Sequence, residues 1–308
     1  MNASHPIVYI ADAAYLHFLP ANFDQISKYG ASKQLVYVVT TSKTIPIELS
    51  TAVEHYPNLQ VIFRQVDFQD YLGEVEISQE THVTKIALLK FFLPEILNED
   101  LVVYLDIDTL ICAPLNDLLA YNPGNLFGAV EEIGINAYLR GSTNSYFNSG
   151  VLVMSLKKIK ALGLYKNLNQ RIARHMSTPD NVDQDLFNQI YEGLVDFLPQ
   201  KYNVFICNHN SSSLGAFVNF PTIIHFVGQD KPWVYPKKSK YSKLWIESFA
   251  NATKTGPSAE QISILNSNRG SLNIQQFTTL LKKLQTKSLS KIKERMPKIV
   301  KSFLRRFV

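Results

Sequence analysis

The chain has 308 residues, 46% of them hydrophobic and 13 of them glycine, enough to bury a large core and unlike the composition of a disordered protein. Its net charge of +5 is unevenly spread: residues 281–308 hold ten Lys or Arg against the single acid Glu294, a balance of +9 that leaves about −4 on the rest. A mildly acidic body argues against a main domain that binds nucleic acid, and two cysteines, Cys112 and Cys207, are too few for a disulfide framework and lack zinc-site spacing.

In chain order, short runs rich in Val, Ile and Tyr recur as "PIVYI" (6–10), "QLVYVV" (34–39), "LQVIF" (59–63), "LVVYLD" (101–106), "GVLVMSL" (150–156) and "TIIHFV" (222–227). They read as strands buried on both faces. Segments of helical length, 15–28 and 82–98, separate the early ones, so strand and helix alternate. That pattern predicts an α/β fold with a mostly parallel central sheet. The polar stretch 251–275, dense in Asn, Ser and Thr around Gly256, Pro257 and Gly270, reads as a linker. The expected organisation is a catalytic body over 1–245, a peripheral segment over 246–280 and a basic tail over 281–308. The opening residues lack a cationic stretch, Asp12 interrupts the apolar run that follows, and no run is long enough to span a bilayer. A reducing cytosol is the expected compartment.

In a parallel sheet, ligands bind where loops converge beyond the carboxyl ends of the strands. Asp12, Asp106 and His225 each fall at or just past such an end. In "YLDIDTL" the period of two puts Asp106 and Asp108 on one side and turns Ile107 away. Two unpaired carboxylates would repel and take up protons. A hard divalent cation such as Mg²⁺ or Mn²⁺ relieves both problems. Imidazole suits Mn²⁺ as a third ligand, which His225 offers, and Lys231 stands six residues on, able to neutralise a phosphate. The bare D-x-D spacing also fits a helix cap followed by a loop acid. "DIDTL" satisfies equally the D-x-D-x-T pattern of haloacid-dehalogenase phosphatases, in which Asp106 would be the nucleophile. A sugar-nucleotide-binding protein without turnover is a third reading.

"YLDIDTL", "YFNSGVLVMSLKK" (146–158), "DQDLFN" (183–188) and "IIHFVGQDKPW" (223–233) occur in this order. Together they resemble the retaining nucleotide-sugar glycosyltransferases of family 8, which include lipopolysaccharide galactosyl- and glucosyltransferases and glycogenin, over about residues 6 to 245. The resemblance implies a Rossmann-like, GT-A type fold in which Asp106, Asp108 and His225 bind Mn²⁺ (or Mg²⁺), which holds the diphosphate of a UDP-sugar. It makes Gly228 and Lys231 diphosphate contacts, has Asp12 accept from uracil and Tyr15 stack on it, and places Ile107 in the donor-binding segment. An asparagine of the family is here Ala14. Lys90 takes the place of a family arginine, keeping the charge without the planar fork, with Lys85 in reserve; an ordinary surface lysine is the alternative for Lys90. Asn148 and Ser149 either bond sugar hydroxyls or shape a turn before Gly150.

Asp183, Gln184 and Asp185 open an apparent helix, where one of the three also fits as a cap. By resemblance Asp183 contacts donor-sugar hydroxyls and Gln184 lies near the β-face of the anomeric carbon. A neutral amide is too weak a nucleophile there, so front-face attack by the acceptor is the expected mechanism, with Gln184, Asp183 and Lys231 as the catalytic set. The expected partners are a UDP-hexose and a saccharide or glycolipid acceptor, shaped by loop 131–145 with Tyr138 and Arg140.

In the tail, Met296, Ile299, Val300, Phe303, Leu304 and Phe307 follow helical spacing, with basic residues on the other faces and Pro297 as an interruption. This predicts a basic amphipathic helix that either lies on an anionic membrane or docks on the body. The first reading puts the chain on the inner face of the cytoplasmic membrane.

Overall fold

A computed structural model describes residues 4–73, 85–132, 146–163, 168–175, 183–206, 218, 220–228, 231–234 and 239–253, with backbone alone at 85 and 173–175. The expected tail, the linker beyond Thr253, Tyr138, Arg140 and the side chain of Lys85 lie outside the described residues. Ten strands are formed among the described residues: β1 (Ile7–Ala11), β2 (Gln34–Thr40), β3 (Leu59–Gln65), β4 (Val102–Leu105), β5 (Thr109–Ile111), β6 (Phe127–Glu131), β7 (Phe147–Met154), β8 (Val195–Leu198), β9 (Val204–Phe205) and β10 (Ile223–His225).

Seven of them make the central sheet, in the order β3-β2-β1-β4-β7-β6-β8. The pairs β3/β2, β2/β1, β1/β4 and β6/β8 are parallel, while β7 runs antiparallel to both β4 and β6. Alternate residues feed two cores. Ile7, Tyr9, Ala11, Val36, Val38, Val103 and Leu105 face one side, where helices Leu19–Tyr29 and Lys240–Thr253 pack. Val8, Ile10, Tyr37, Val39, Val102 and Tyr104 face the other, with Leu88, Leu89, Phe91 and Phe187. Cover on both faces explains why these strands read as unbroken apolar runs.

Four expectations need correction. The boundary at 245 and the start of the linker at 251 both fall inside helix Lys240–Thr253, whose Trp245, Ile246, Phe249 and Ala252 are buried in the core, so the body runs on at least to Thr253. "TIIHFV" does not join the central sheet; β10 pairs antiparallel with β5 and parallel with β9 in a separate three-stranded sheet. The segment 15–28 is two helices, Ala13–Leu16 and Leu19–Tyr29, divided just before Pro20, which has no N–H to continue the first. The described part of 82–98 is a tight 3₁₀ helix, Lys85–Phe92, passing into Leu93–Ile96 with Pro94 in its first turn.

Candidate metal centre and donor site

The strand order reverses between β1 and β4. Because these two are parallel, Asp12 and Asp106 leave the sheet at the same edge, the crevice in which such folds bind ligands. The amino end of antiparallel β7 reaches that edge too, with Val151 opposite Leu105. Asn148 and Ser149 therefore lie inside a strand, and their turn-shaping alternative is overturned.

Asp106 and Asp108 share a side, as expected, but through a turn rather than an extended strand. The carbonyl of Asp106 accepts from the backbone N–H of Thr109 at 3.2 Å and its hydroxyl at 2.7 Å, while Asp106 N–H donates to the Gly150 carbonyl at 2.8 Å. Ile107 points into the core, 5% exposed. Its carbonyl accepts from Asn22 Nδ2 at 3.2 Å, and Gln25 Oε1 accepts from Ile111 N–H at 2.9 Å. Two buried polar residues of helix Leu19–Tyr29 thus pin this turn and the strand after it, satisfying backbone groups that the sheet leaves open.

His225, at the end of β10, completes the group: one donor atom from each of Asp106, Asp108 and His225 falls within 4.8 Å of the others. His225 Nε2 lies 3.2 Å from Asp108 Oδ1 and 3.7 Å from Asp106 Oδ2. The second polar atom of each residue is occupied elsewhere. Tyr104 donates to Asp106 Oδ1 at 2.5 Å, Lys231 pairs with Asp108 Oδ2, and His225 Nδ1 sits 3.0 Å from Asn203 Oδ1. Asp108 Oδ1 is buried and has no hydrogen-bond donor assigned to it among the described residues, with His225 Nε2 3.2 Å away. An orphaned carboxylate oxygen, a second carboxylate oxygen and an imidazole nitrogen converging on one point make a donor set for Mn²⁺ or Mg²⁺. Burial would raise the Asp108 carboxyl pKa, yet Lys231 and His225 hold it well below the usual carboxylate range.

Lys90 is not a surface lysine. It is 1% exposed, with Nζ 2.9 Å from Asp183 Oδ2 and 3.8 Å from Asp106 Oδ1, and it donates to the Ser149 hydroxyl at 3.3 Å. Burial alone would lower its pKa, but Asp106 and Asp183 outweigh burial and raise it, keeping the ammonium charged. All three leading residues of helix Asp183–Ile190 are engaged in side-chain bonds: Asp183 with Lys90, Gln184 with Asn148 Nδ2 (2.7 Å) and Glu132 Oε2 (2.8 Å), and Asp185 with the Tyr146 hydroxyl (2.5 Å).

Asp12 caps helix Ala13–Leu16, its Oδ1 accepting from Tyr15 N–H at 2.9 Å, so one carboxylate oxygen already has a structural task. Tyr15 meets Trp233 edge to face at 6.1 Å, and Trp233 stacks on Phe18 at 4.4 Å. This aromatic stack ties the 231–234 segment, and with it Lys231, to the helix after β1. Gly228 takes φ +72°, a conformation suited to glycine, with open space where a side chain would stand.

Sequence reasoning missed Tyr104, Asn203 and Glu132. Tyr104 was within reach, since it stands two residues before Asp106 on the same strand face. Asn203 in "KYNVF" and Glu132 carry no motif, and only the tertiary fold brings them here.

Comparison with known proteins agrees with this geometry. The chain is 24% identical over 258 residues to the glycosyltransferase GlyE of Streptococcus pneumoniae serotype 4, covering 80% of this chain and 61% of GlyE. It is 29% identical over 172 residues to the lipopolysaccharide 1,2-glucosyltransferase of Escherichia coli K12, covering 48% of this chain and 49% of that protein. It thus spans less than two thirds of either relative. The solved structure of the galactosyltransferase LgtC, in complex with donor and acceptor sugar analogs, superposes with a TM-score of 0.65 at 22% identity, covering 80% of this chain and 95% of that one. That likeness shows a shared GT-A fold. The sequence model of glycosyl transferase family 8 matches residues 6–236, which include the D-x-D turn, β7, the Asp183 helix and the His225 strand, and the chain belongs to that family.

Proposed function

We propose that the protein is a metal-dependent retaining hexosyltransferase, moving galactose or glucose from a UDP-sugar to a saccharide acceptor in lipopolysaccharide or another surface glycan. The observation that carries this reading is the convergence of Asp106 Oδ2, Asp108 Oδ1 and His225 Nε2, each with its companion atom already bonded. A divalent cation held there would neutralise the charge of a departing diphosphate.

The chain's own residues supply the rest. Lys231 spends two of its three protons on Asp108 and the Phe226 carbonyl, and the third has no acceptor assigned among the described residues. We assign that proton to a diphosphate oxygen, beside the backbone at Gly228. Asp12 and Tyr15, at the same sheet edge, take the uracil. Asp183, Asn148 and Ser149 face the donor-sugar hydroxyls, with Lys90 holding Asp183 in place.

Gln184 is fixed at both ends of its amide, and the second lone pair on Oε1, which no donor among the described residues takes, is assigned to the positive charge that grows at the anomeric carbon. The acceptor hydroxyl then attacks from the leaving-group face and passes its proton to a phosphate oxygen. Family membership removes the phosphatase reading of Asp106. The body through helix Lys240–Thr253 forms the catalytic unit in this reading, and residues 281–308 bring it to an anionic membrane.

Thermal shift with UDP-galactose and UDP-glucose, each with and without Mn²⁺, followed by acceptor-free hydrolysis, tests the proposal. The expected result is Mn²⁺-dependent stabilisation by one of the two and slow release of UDP. Binding without hydrolysis would instead favour a sugar-nucleotide-binding protein. The reading fails if neither donor shifts the melting temperature in the presence of Mn²⁺.

A further inference from the structure

We infer that Glu132, Gln184, Asn148 and Asn203 form a one-way hydrogen-bond relay that fixes His225 as its Nδ1–H tautomer, aiming the Nε2 lone pair at Asp106 and Asp108. The inference rests on the metal-site reading above and adds Asn203 and Glu132 to it as positioning residues.

The direction of the relay is imposed by groups that have no choice of role. The ionised Glu132 carboxylate only accepts, so the amide atom of Gln184 facing its Oε2 at 2.8 Å is the NH₂ group. Gln184 Oε1 then accepts from Asn148 Nδ2 at 2.7 Å. The backbone N–H of Gly150 only donates, so the atom of Asn148 it meets at 2.9 Å is the carbonyl oxygen. Both constraints orient Asn148 in the same sense.

The second lone pair of Asn148 Oδ1 takes Asn203 Nδ2 at 2.9 Å. That leaves Asn203 Oδ1 facing His225 Nδ1 at 3.0 Å, and an oxygen there requires the ring nitrogen to carry the proton. Reversing Asn203 would set two carbonyl oxygens against each other where Asn148, Asn203 and His225 are 7%, 2% and 3% exposed, with little water to compensate.

The consequence is chemical. A neutral ring with its proton on Nε2 would point that proton at Asp108 Oδ1 and Asp106 Oδ2 and fill the place of a cation. With the proton on Nδ1, three electron-rich atoms meet, and the site binds a cation without first losing a proton from the ring. The same chain of amides links Gln184, assigned above to the anomeric carbon, with the metal ligand His225.

Long-range ¹H–¹⁵N NMR of the full chain without metal, at a pH where His225 is neutral, reads the tautomer directly. The expected spectrum has pyrrole-type Nδ1 and pyridine-type Nε2; an Nε2–H tautomer overturns the relay. The second arm measures Mn²⁺ binding by calorimetry in Asn203→Leu and Asn203→Asp. Asn203→Leu is expected to weaken Mn²⁺ by about 10- to 100-fold, whereas Asn203→Asp keeps an acceptor for Nδ1–H and recovers part of the affinity, its second oxygen now facing Asn148 Oδ1 in place of a donor. An Asn203→Leu affinity within twofold of the unaltered chain also overturns the relay. If the unaltered chain binds no Mn²⁺ while the neutral ring is the Nδ1–H form, the metal reading is lost and the relay stands.

Discussion

Gly150 packs so closely against His225 that a Cβ atom added to it would lie 2.2 Å from the ring's Cε1 and 2.7 Å from Asp106 Oδ2. The strand that carries Asn148 and Ser149 therefore also keeps a gap open beside two of the three candidate metal ligands. Its glycine serves space, because no unusual φ is required at this position.

Gly150→Ala is accordingly expected to displace the imidazole and weaken Mn²⁺ by more than tenfold. The cost in folding stability should be that of ordinary overpacking, about 1–3 kcal/mol. Calorimetric titration of Mn²⁺ together with thermal melting separates the two effects. Unchanged Mn²⁺ affinity in a folded variant would show that the ligands sit elsewhere.

Lys90→Met tests the buried cation. The ammonium lies between Asp183 and Asp106, and its removal strands two acids beside a site that already concentrates negative charge. Breaking a fully buried pair costs about 3–5 kcal/mol. Both carboxylates here are partly exposed, so about 2 kcal/mol is expected by denaturant titration. The pKa of Lys90 is raised on folding. Its contribution is therefore complete at neutral pH, below the unfolded value, and disappears only as strongly alkaline pH passes the folded value. A stability difference between Lys90→Met and the unaltered chain that fell already between pH 6 and 8 would contradict this assignment.

The sequence was legible where chemistry is local. The β1, β2, β3 and β4 runs fell within two residues of their strands because sheets covered on both faces need continuous Val, Ile and Tyr. Asp106, Asp108 and His225 were found because each stands at the end of such a run. What could not be read was pairing: nothing in "TIIH" says that it leaves the central sheet to lie against Thr109–Ile111. Nor does any spacing bring Asn203 to His225, since their bond depends on how β9 and β10 dock. Lys90 was ambiguous for a related reason, as helical periodicity does not reveal which side of a 3₁₀ turn faces two acids.

Asp196 offers a pH test away from the site. Its carboxylate accepts from Gly124 N–H (2.5 Å), Asn125 N–H (3.2 Å) and Asn125 Nδ2 (2.6 Å), joining β8 to the turn before β6. Partial burial would raise its pKa, but these donors lower it. The stabilisation is thus present above the unfolded carboxylate value and lost as pH falls through the lower folded value. Asp196→Ala should cost about 1 kcal/mol at pH 7, discounted for solvent exposure, and progressively less as the pH drops below about 4. Urea titrations of both proteins across this range check the sign. A penalty that grew on acidification would mean that the carboxylate is not what holds the turn.

The tail supplies the remaining prediction, from charge and spacing. Residues 281–308 carry +9 while the body is mildly acidic, so attraction to an anionic surface must come from this segment. Each basic residue near such a surface contributes about 1 kcal/mol, and on a membrane Phe303 and Phe307 would add apolar burial at the headgroup level. The full chain should sediment with vesicles containing phosphatidylserine or phosphatidylglycerol and not with neutral phosphatidylcholine vesicles. Binding should weaken as salt shortens the Debye length. A chain ending at residue 280 should stay in the supernatant with its Mn²⁺ affinity intact, because none of the proposed ligands belongs to the tail. Equal sedimentation of the long and short chains would favour docking of the tail on the body, since the apolar stripe and the charges would then have no lipid partner to serve.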